Sequence, residues 1–240
     1  MGDSARQHRS TASLAVMALV AAAGVILLLS LGIWQVQRLA WKTDLIARVD
    51  ARVAAAPVAA PGPAAWPGIT REGDEYRHVS VTGRFLNDKT VLTQAVTDLG
   101  AGFWVVTPLE AAEGTYLINR GFVPADARND YARPEGEQTV TGLLRVTEPK
   151  GGFLRSNDPE AGRWHSRDVQ AIGDAQGLTN LAPFFIDAED SGEGPPVGGL
   201  TVIRFANSHL SYALTWFAMA LGLAGASIYV GWHEWRQRRG

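Results

Sequence analysis

Two stretches carry no charged side chain, Ser13 to Trp34 and Leu210 to Trp232. Each is roughly 20 residues, enough for one helical crossing of a bilayer. A buried helix of a soluble core rarely stays uncharged on every face for this length. The first run exceeds the apolar core of a signal peptide, and GIWQVQR after it lacks a small-x-small cleavage pattern. It therefore reads as a retained anchor. The pattern predicts a membrane α+β chain in which two transmembrane helices flank a mainly antiparallel β domain. Its expected segments are a tail at 1–12, spans at 13–34 and 209–232, a helix and linker at 35–68, a β-rich domain at 69–208 and a tail at 233–240.

Between the runs the period changes. In QVQRLAWKTDLIARVDARV the residues Val36, Leu39, Ile46, Val49 and Val53 share one helical stripe, with the basic side chains largely off it. The first span should continue as an amphipathic helix and stop in AAAPVAAPGPAAWPG, where four prolines predict a stiff linker. Beyond it the period is two. EYRHVSVTGRFL alternates Tyr76, His78 and Ser80 against Arg77, Val79 and Val81, and KTVLTQAV, GFWVVTPL, TYLINRGFVP, TVTGLLRV, PFFIDAE and LTVIRF are equally short and β-branched. One helix is predicted at SRDVQAIGDAQG, capped by Ser166 and stopped by Gly177. DAEDSGEGPPVGG reads as a solvated acidic turn.

Charge alone leaves the orientation open. Arg6, Arg9, Arg236, Arg238 and Arg239 flank the spans on the terminal side, and Arg38, Lys42, Arg48, Arg52 and Arg204 match them on the domain side. The tight WRQRRG cluster leans towards cytoplasmic termini. A net charge of −2 gives no footprint for nucleic acid. Cysteine is absent and methionine occurs at Met1, Met17 and Met219 alone, which excludes thiolate sites and a methionine copper motif. No nucleophile elbow or phosphate loop is present, and His233-Glu234 is followed by Gln237 where a zinc protease would place histidine. His8, His78 and His165 stand alone in polar contexts. Nothing in the sequence asks for an enzyme.

NSHLSYALTWF sets an ionisable ring at the head of the second run. His209, Tyr212 and Trp216 fall at i, i+3 and i+7 and share a helical face. Two readings stand: an imidazole beside flat aromatics as an axial ligand to haem iron, or an interfacial histidine in an aromatic belt.

Gly32-Ile33-Trp34-Gln35 with Arg38, Trp41 and Lys42, then YRHVSVTG at 76–83, VVTPL at 105–109, NRGFVP at 119–124 and NSHLSYALTW at 207–216, resemble the Surfeit-locus-one family of cytochrome c oxidase assembly proteins. The resemblance runs from the first span to the second; Ser156 departs from it where proline is expected. It implies a bacterial inner-membrane protein with cytoplasmic termini and a periplasmic domain. It also implies a role in maturing subunit I of a haem-copper oxidase, with haem a carried as cargo on His209. Cytochrome c oxidase subunit I and the bilayer are the expected partners, with haem a synthase a further candidate. With the resemblance, the haem reading of His209 becomes the favoured one.

The remaining family positions divide between two roles. Trp34, Gln35 and Arg38 lie at the outer end of the first span, as interfacial anchors or as groups facing His209, where Arg38 or Gln35 could hold a haem propionate. Asn119-Arg120-Gly121 reads as a strand-to-turn transition in which Gly121 supplies backbone freedom. Ala218, Gly222 and Ala226 form a small-residue stripe, with Ala18 and Ala22 as its match for helix packing, and the same stripe could equally receive a helix of the oxidase subunit. The alternative to a haem a chaperone is a scaffold that holds an oxidase assembly intermediate without touching haem, and copper insertion is a distant third. Reporter fusions test the layout: one at Gly240 should report cytoplasm and one near Gly192 periplasm, and a periplasmic signal at Gly240 would overturn it.

Overall fold

The computed structural model describes residues 10–149, 155–189, 194–201, 203, 205 and 207–239. It divides into two compact units, residues 1–47 with 204–240, and residues 48–203.

The first unit is built from two helices long and apolar enough to cross a membrane, α1 (Thr11–Ala54) and α4 (His209–Arg239). As the period predicts, α1 runs unbroken through the uncharged run and the amphipathic stripe. Their facing residues recur at a spacing close to 3.5, Leu28, Leu31, Gln35 and Leu39 on α1 against His209, Ala213, Trp216, Ala220 and Leu223 on α4. Gly32 admits the second helix: a Cβ there would fall 2.4 Å from the Phe217 ring. Ala218, Gly222 and Ala226, expected as the packing stripe, are exposed instead, as are Ala18 and Ala22. Glycine at 32 and alanine at 213 and 220 do the work assigned to them. Outward-facing side chains such as Leu19, Ile26 and Leu221 are 73%, 65% and 79% exposed, so this apolar surface has no cover within the protein.

In the second unit the period-two segments form β2 (His78–Phe85), β3 (Val91–Thr97), β4 (Gly100–Ala111), β5 (Thr115–Pro124), β6 (Glu137–Val146) and β7 (Leu181–Ala188), with a two-residue β1 (Val58–Ala59). Their order is β1-β2-β6-β7-β5-β4-β3, and β2 also pairs with β4 through Gly83–Ala111 and Phe85–Leu109. That last pairing closes the sheet into a barrel. Pairing is antiparallel except for β1 with β2 and β5 with β7. Val79, Val81, Leu109, Tyr116, Ile118, Leu144, Phe184 and Ile186 fill the interior. A second cluster packs Leu117, Phe185 and Trp164 against α3 (Val169–Gln176). β5 is thus buried on both faces, which explains its near-continuous apolar run.

Several expectations need correction. The proline segment is docked rather than a free linker: β1 adds to the sheet, and Trp66 Nε1 and Tyr116 Oη both donate to the Pro61 carbonyl at 2.7 and 3.2 Å. Prolines there suit an edge, where no ladder donor is required. The strand begins at His78, not Tyr76, because Tyr76 takes φ 62 after the short helix α2 (Arg71–Asp74). The cap of α3 is Asp168, whose side chain accepts from Ala171 N, while Gly177 ends the helix at φ 58 as expected. The described residues of LTVIRF form no strand, with Val202 and Arg204 outside the described residues, as are His8, Arg6, Arg9 and part of the acidic turn. The turn at Ser156 forms through an Asp158–Arg163 ion pair.

Asn119-Arg120-Gly121 sits inside β5 rather than at a turn. The register with β4 slips between Trp104 and Val106, so Arg120 and Gly121 face a single residue across the ladder, a β-bulge. Gly121 takes φ +128, and a Cβ would lie 2.3 Å from the Val197 carbonyl oxygen. Gly121→Ala should therefore cost at least about 2 kcal/mol, while Gly68→Ala, with nothing within 4 Å, should stay within about 0.5 kcal/mol. Thermal unfolding of the full chain in detergent measures both.

Candidate functional site

The first residues of α4 and the middle of α1 meet through one polar contact. His209 Nδ1 lies 2.8 Å from Gln35 Oε1. Gln35 is buried and His209 half-buried, in a unit whose facing side chains are otherwise apolar. In the tautomer that carries its proton on Nδ1, the ring donates to the carboxamide oxygen and its lone pair is at Nε2. Among the described residues nothing hydrogen-bonds Nε2. A hydrogen bond at Nδ1 that fixes the tautomer and leaves Nε2 free is the arrangement metal-ligating histidines use.

The other candidate residues distribute around this pair. Trp216 is half-buried on the same face of α4, two turns along. Tyr212 is 54% exposed on the flank. Trp34 is also exposed, and Arg38 is exposed with its guanidinium stacked 4.2 Å over the Trp41 ring. The structure brings Gln35 to His209 directly, with Trp216 two turns further along the same face of α4, while Trp34 and Arg38 make no hydrogen bond to either. Lys42 reaches the Phe205 ring, 5.1 Å from its centroid. No group of three or more His, Cys, Asp or Glu able to hold a metal is present among the described residues.

A polar centre that the sequence did not announce lies in the second unit. Asp187 on β7 accepts from Arg145 Nη1 at 2.7 Å, Arg167 Nη1 at 3.1 Å, Asn119 Nδ2 at 2.7 Å and Thr201 Oγ1 at 3.0 Å. Arg145 also donates to Glu75 and Glu148. Burial opposes the charge on Arg145, but Asp187, Glu75 and Glu148 outweigh it, so its pKa is raised and its proton is held more tightly than in water. These residues come from six separated segments, and only Arg145 and Glu148 are linked by a local spacing. The site flanks a cavity of about 650 Å³.

Comparison with known proteins covers nearly the whole of this arrangement. Residues 22–221 match the SURF1 family, a stretch that includes all six candidate residues of the helix pair. The chain is 35% identical over 224 residues to Surfeit locus protein 1 of Homo sapiens, covering 83% of this chain and 71% of that protein. It is 34% identical over 231 residues to the Mus musculus protein of the same name, covering 87% and 72%. A SURF1-like protein of Monosiga brevicollis is 33% identical over 214 residues, covering 79% and 78%.

The Gln35–His209 contact can be measured as a pair. Gln35→Leu and His209→Leu should each weaken the helix pair, and the double variant should recover a coupling of roughly 0.6–1.7 kcal/mol. Detergent-micelle unfolding of the four proteins gives that number. A coupling of zero would mean the contact adds nothing to helix association.

Proposed function

The chain belongs to the SURF1 family, and from that membership and the Gln35–His209 contact we propose a membrane-anchored assembly factor of cytochrome c oxidase that carries haem a on His209 and assists its insertion into subunit I. In this reading α1 and α4 span the bacterial inner membrane, both termini are cytoplasmic and the barrel is periplasmic. The unburied apolar surface of both helices supports the bilayer as their cover.

The contact between His209 and Gln35 is the observation that carries the cargo reading. With Nδ1–H held by Gln35 Oε1 at 2.8 Å, Nε2 is the ligand atom offered to iron, and Gln35 both orients the ring and raises its basicity. Trp216 would lie against the porphyrin plane, and Tyr212 and Trp34 would form its aromatic border. Arg38 would meet a propionate by exchanging its stack on Trp41 for a charge-assisted hydrogen bond. Haem a synthase would be the donor and subunit I the acceptor. The protein supplies a holding site and no reaction of its own, because what the pair offers is a single ligand atom and a shape.

Haem content after co-expression with the haem a synthesis enzymes tests this. The purified wild type should show a haem a spectrum, and His209→Ala should lose most of it while still inserting in the membrane. Gln35→Ala should weaken binding by roughly 10–100-fold, the usual cost of removing a ligand's orienting partner. Trp216→Ala should lose less than His209→Ala, since stacking contributes about 1 kcal/mol. His78→Ala should retain the haem, because His78 Nδ1 is engaged with the Ala55 carbonyl in the second unit. Full haem content with an unshifted Soret band in His209→Ala would leave the scaffold reading in its place.

A further inference from the structure

Arg120 is the opposite of Arg145. It is 3% exposed and sits at the β-bulge of β5. Nη2 donates to the Ala132 carbonyl at 2.7 Å, and the guanidinium carbon lies 4.9 Å from the centroid of the Phe85 ring. Nη1 is buried with no hydrogen-bond partner. Among the described residues no carboxylate comes within ion-pairing distance of it. Burial lowers its pKa, against a smaller opposing pull from Tyr131. A desolvated cation with an empty donor is a costly feature for a fold to keep.

The same side chain lines a cavity of about 630 Å³. Phe85, Ile118 and Val140 give that cavity an apolar wall, and Arg133 contributes an exposed second cation at its rim. Its one carboxylate among the lining residues, Glu189, lies 3.0 Å from His78 Nε2. We propose that this cavity binds an organic monocarboxylate, whose head accepts hydrogen bonds from the Arg120 guanidinium and whose apolar body packs against Phe85, Ile118 and Val140. One unpaired buried guanidinium matches one negative charge and a planar pair of acceptors. A dianionic phosphate would need a second buried cation, but Arg133 is exposed and stacks on Tyr131 at 5.3 Å, and Glu189 would repel it. The ligand reaches Nη1 when the segment around Ala132 gives way; that segment is tied by Arg120 itself and by the Ala132 N to Pro195 O hydrogen bond of 3.0 Å.

The test is calorimetric titration of the full chain in detergent micelles with butanoate, butanamide and inorganic phosphate. Butanoate should bind saturably, and butanamide and phosphate at least roughly tenfold more weakly. Arg120→Gln should weaken butanoate binding by a similar factor with the circular dichroism spectrum unchanged. Should that variant fail to fold, Thr141→Phe decides: it narrows the cavity from β6 at a half-buried lining position and should weaken butanoate binding while Arg120 remains. In the wild type, the ¹⁵N signals of the Arg120 guanidinium should shift with butanoate and not with butanamide. Absence of saturable butanoate binding, equal binding of the amide, or undiminished binding in a folded variant would overturn the proposal and leave Arg120 as a clamp on the Ala132 segment. Tighter binding of phosphate than of butanoate would overturn the carboxylate assignment.

Discussion

The barrel depends on the pairing of Arg145 with Asp187. Asp187 is buried and Arg145 largely so, and they stand on adjacent strands, β6 and β7, 2.7 Å apart. Two opposite charges removed from water repay their desolvation only when the remaining donors and acceptors are also filled. Here they are: Asn119 brings β5, Arg167 and Glu148 bring the segments around α3, Glu75 brings the end of α2, and Thr201 brings the chain beyond β7. Removing one partner of such a network costs about 3–5 kcal/mol, because the other charge is left buried and alone. The network therefore specifies which strands are neighbours more than it adds to stability. The parallel β5–β7 pairing, which no hairpin could enforce, is anchored by Asn119 opposite Asp187.

What was legible in the chain followed from periodicity, and what was hidden depended on distance along it. Strand positions read correctly because alternation is local: Val79 and Val81 turn inward while His78 and Ser80 do not. Gly177 was readable as a helix stop because a left-handed residue after a helix is a one-residue property. Barrel closure was not readable, since Phe85 and Leu109 carry no mark that they pair. Tyr76 looked like the start of a strand because an aromatic fits one. Its ring instead faces Arg145, 5.0 Å from the guanidinium, and that contact accompanies the positive φ. The small-residue stripe of α4 failed as the face that packs on α1 for a related reason. Spacing of four marks a face but does not say which face meets a neighbour, and Gly32 on the other helix decides it.

His209 was legible as an ionisable ring at the head of its helix and Gln35 as a residue that could face it, but the bond between them was not. Sequence placed both at the outer end of their apolar runs, and many pairs meet that condition. The contact distance selects this pair. Trp34 and Arg38 carried the same motif-level weight and ended exposed. A motif records which residues travel together in a family; the packing of α1 on α4 determines which of them share an environment.

Three polar centres away from water show how satisfaction separates structure from function. Around Asp187 every charge has a partner, and such a site resists both solvent and ligands, because anything entering must displace bonds already made. His209 and Arg120 are half satisfied. Each has one nitrogen held, by Gln35 Oε1 and by the Ala132 carbonyl, and one nitrogen without a partner among the described residues. The held nitrogen restricts the rotation of each side chain. Leaving a buried donor such as Arg120 Nη1 empty costs about 1–3 kcal/mol. The chemistry then follows from which atom is left over: a lone pair at His209 suits a metal centre, and an N–H at Arg120 suits an anion.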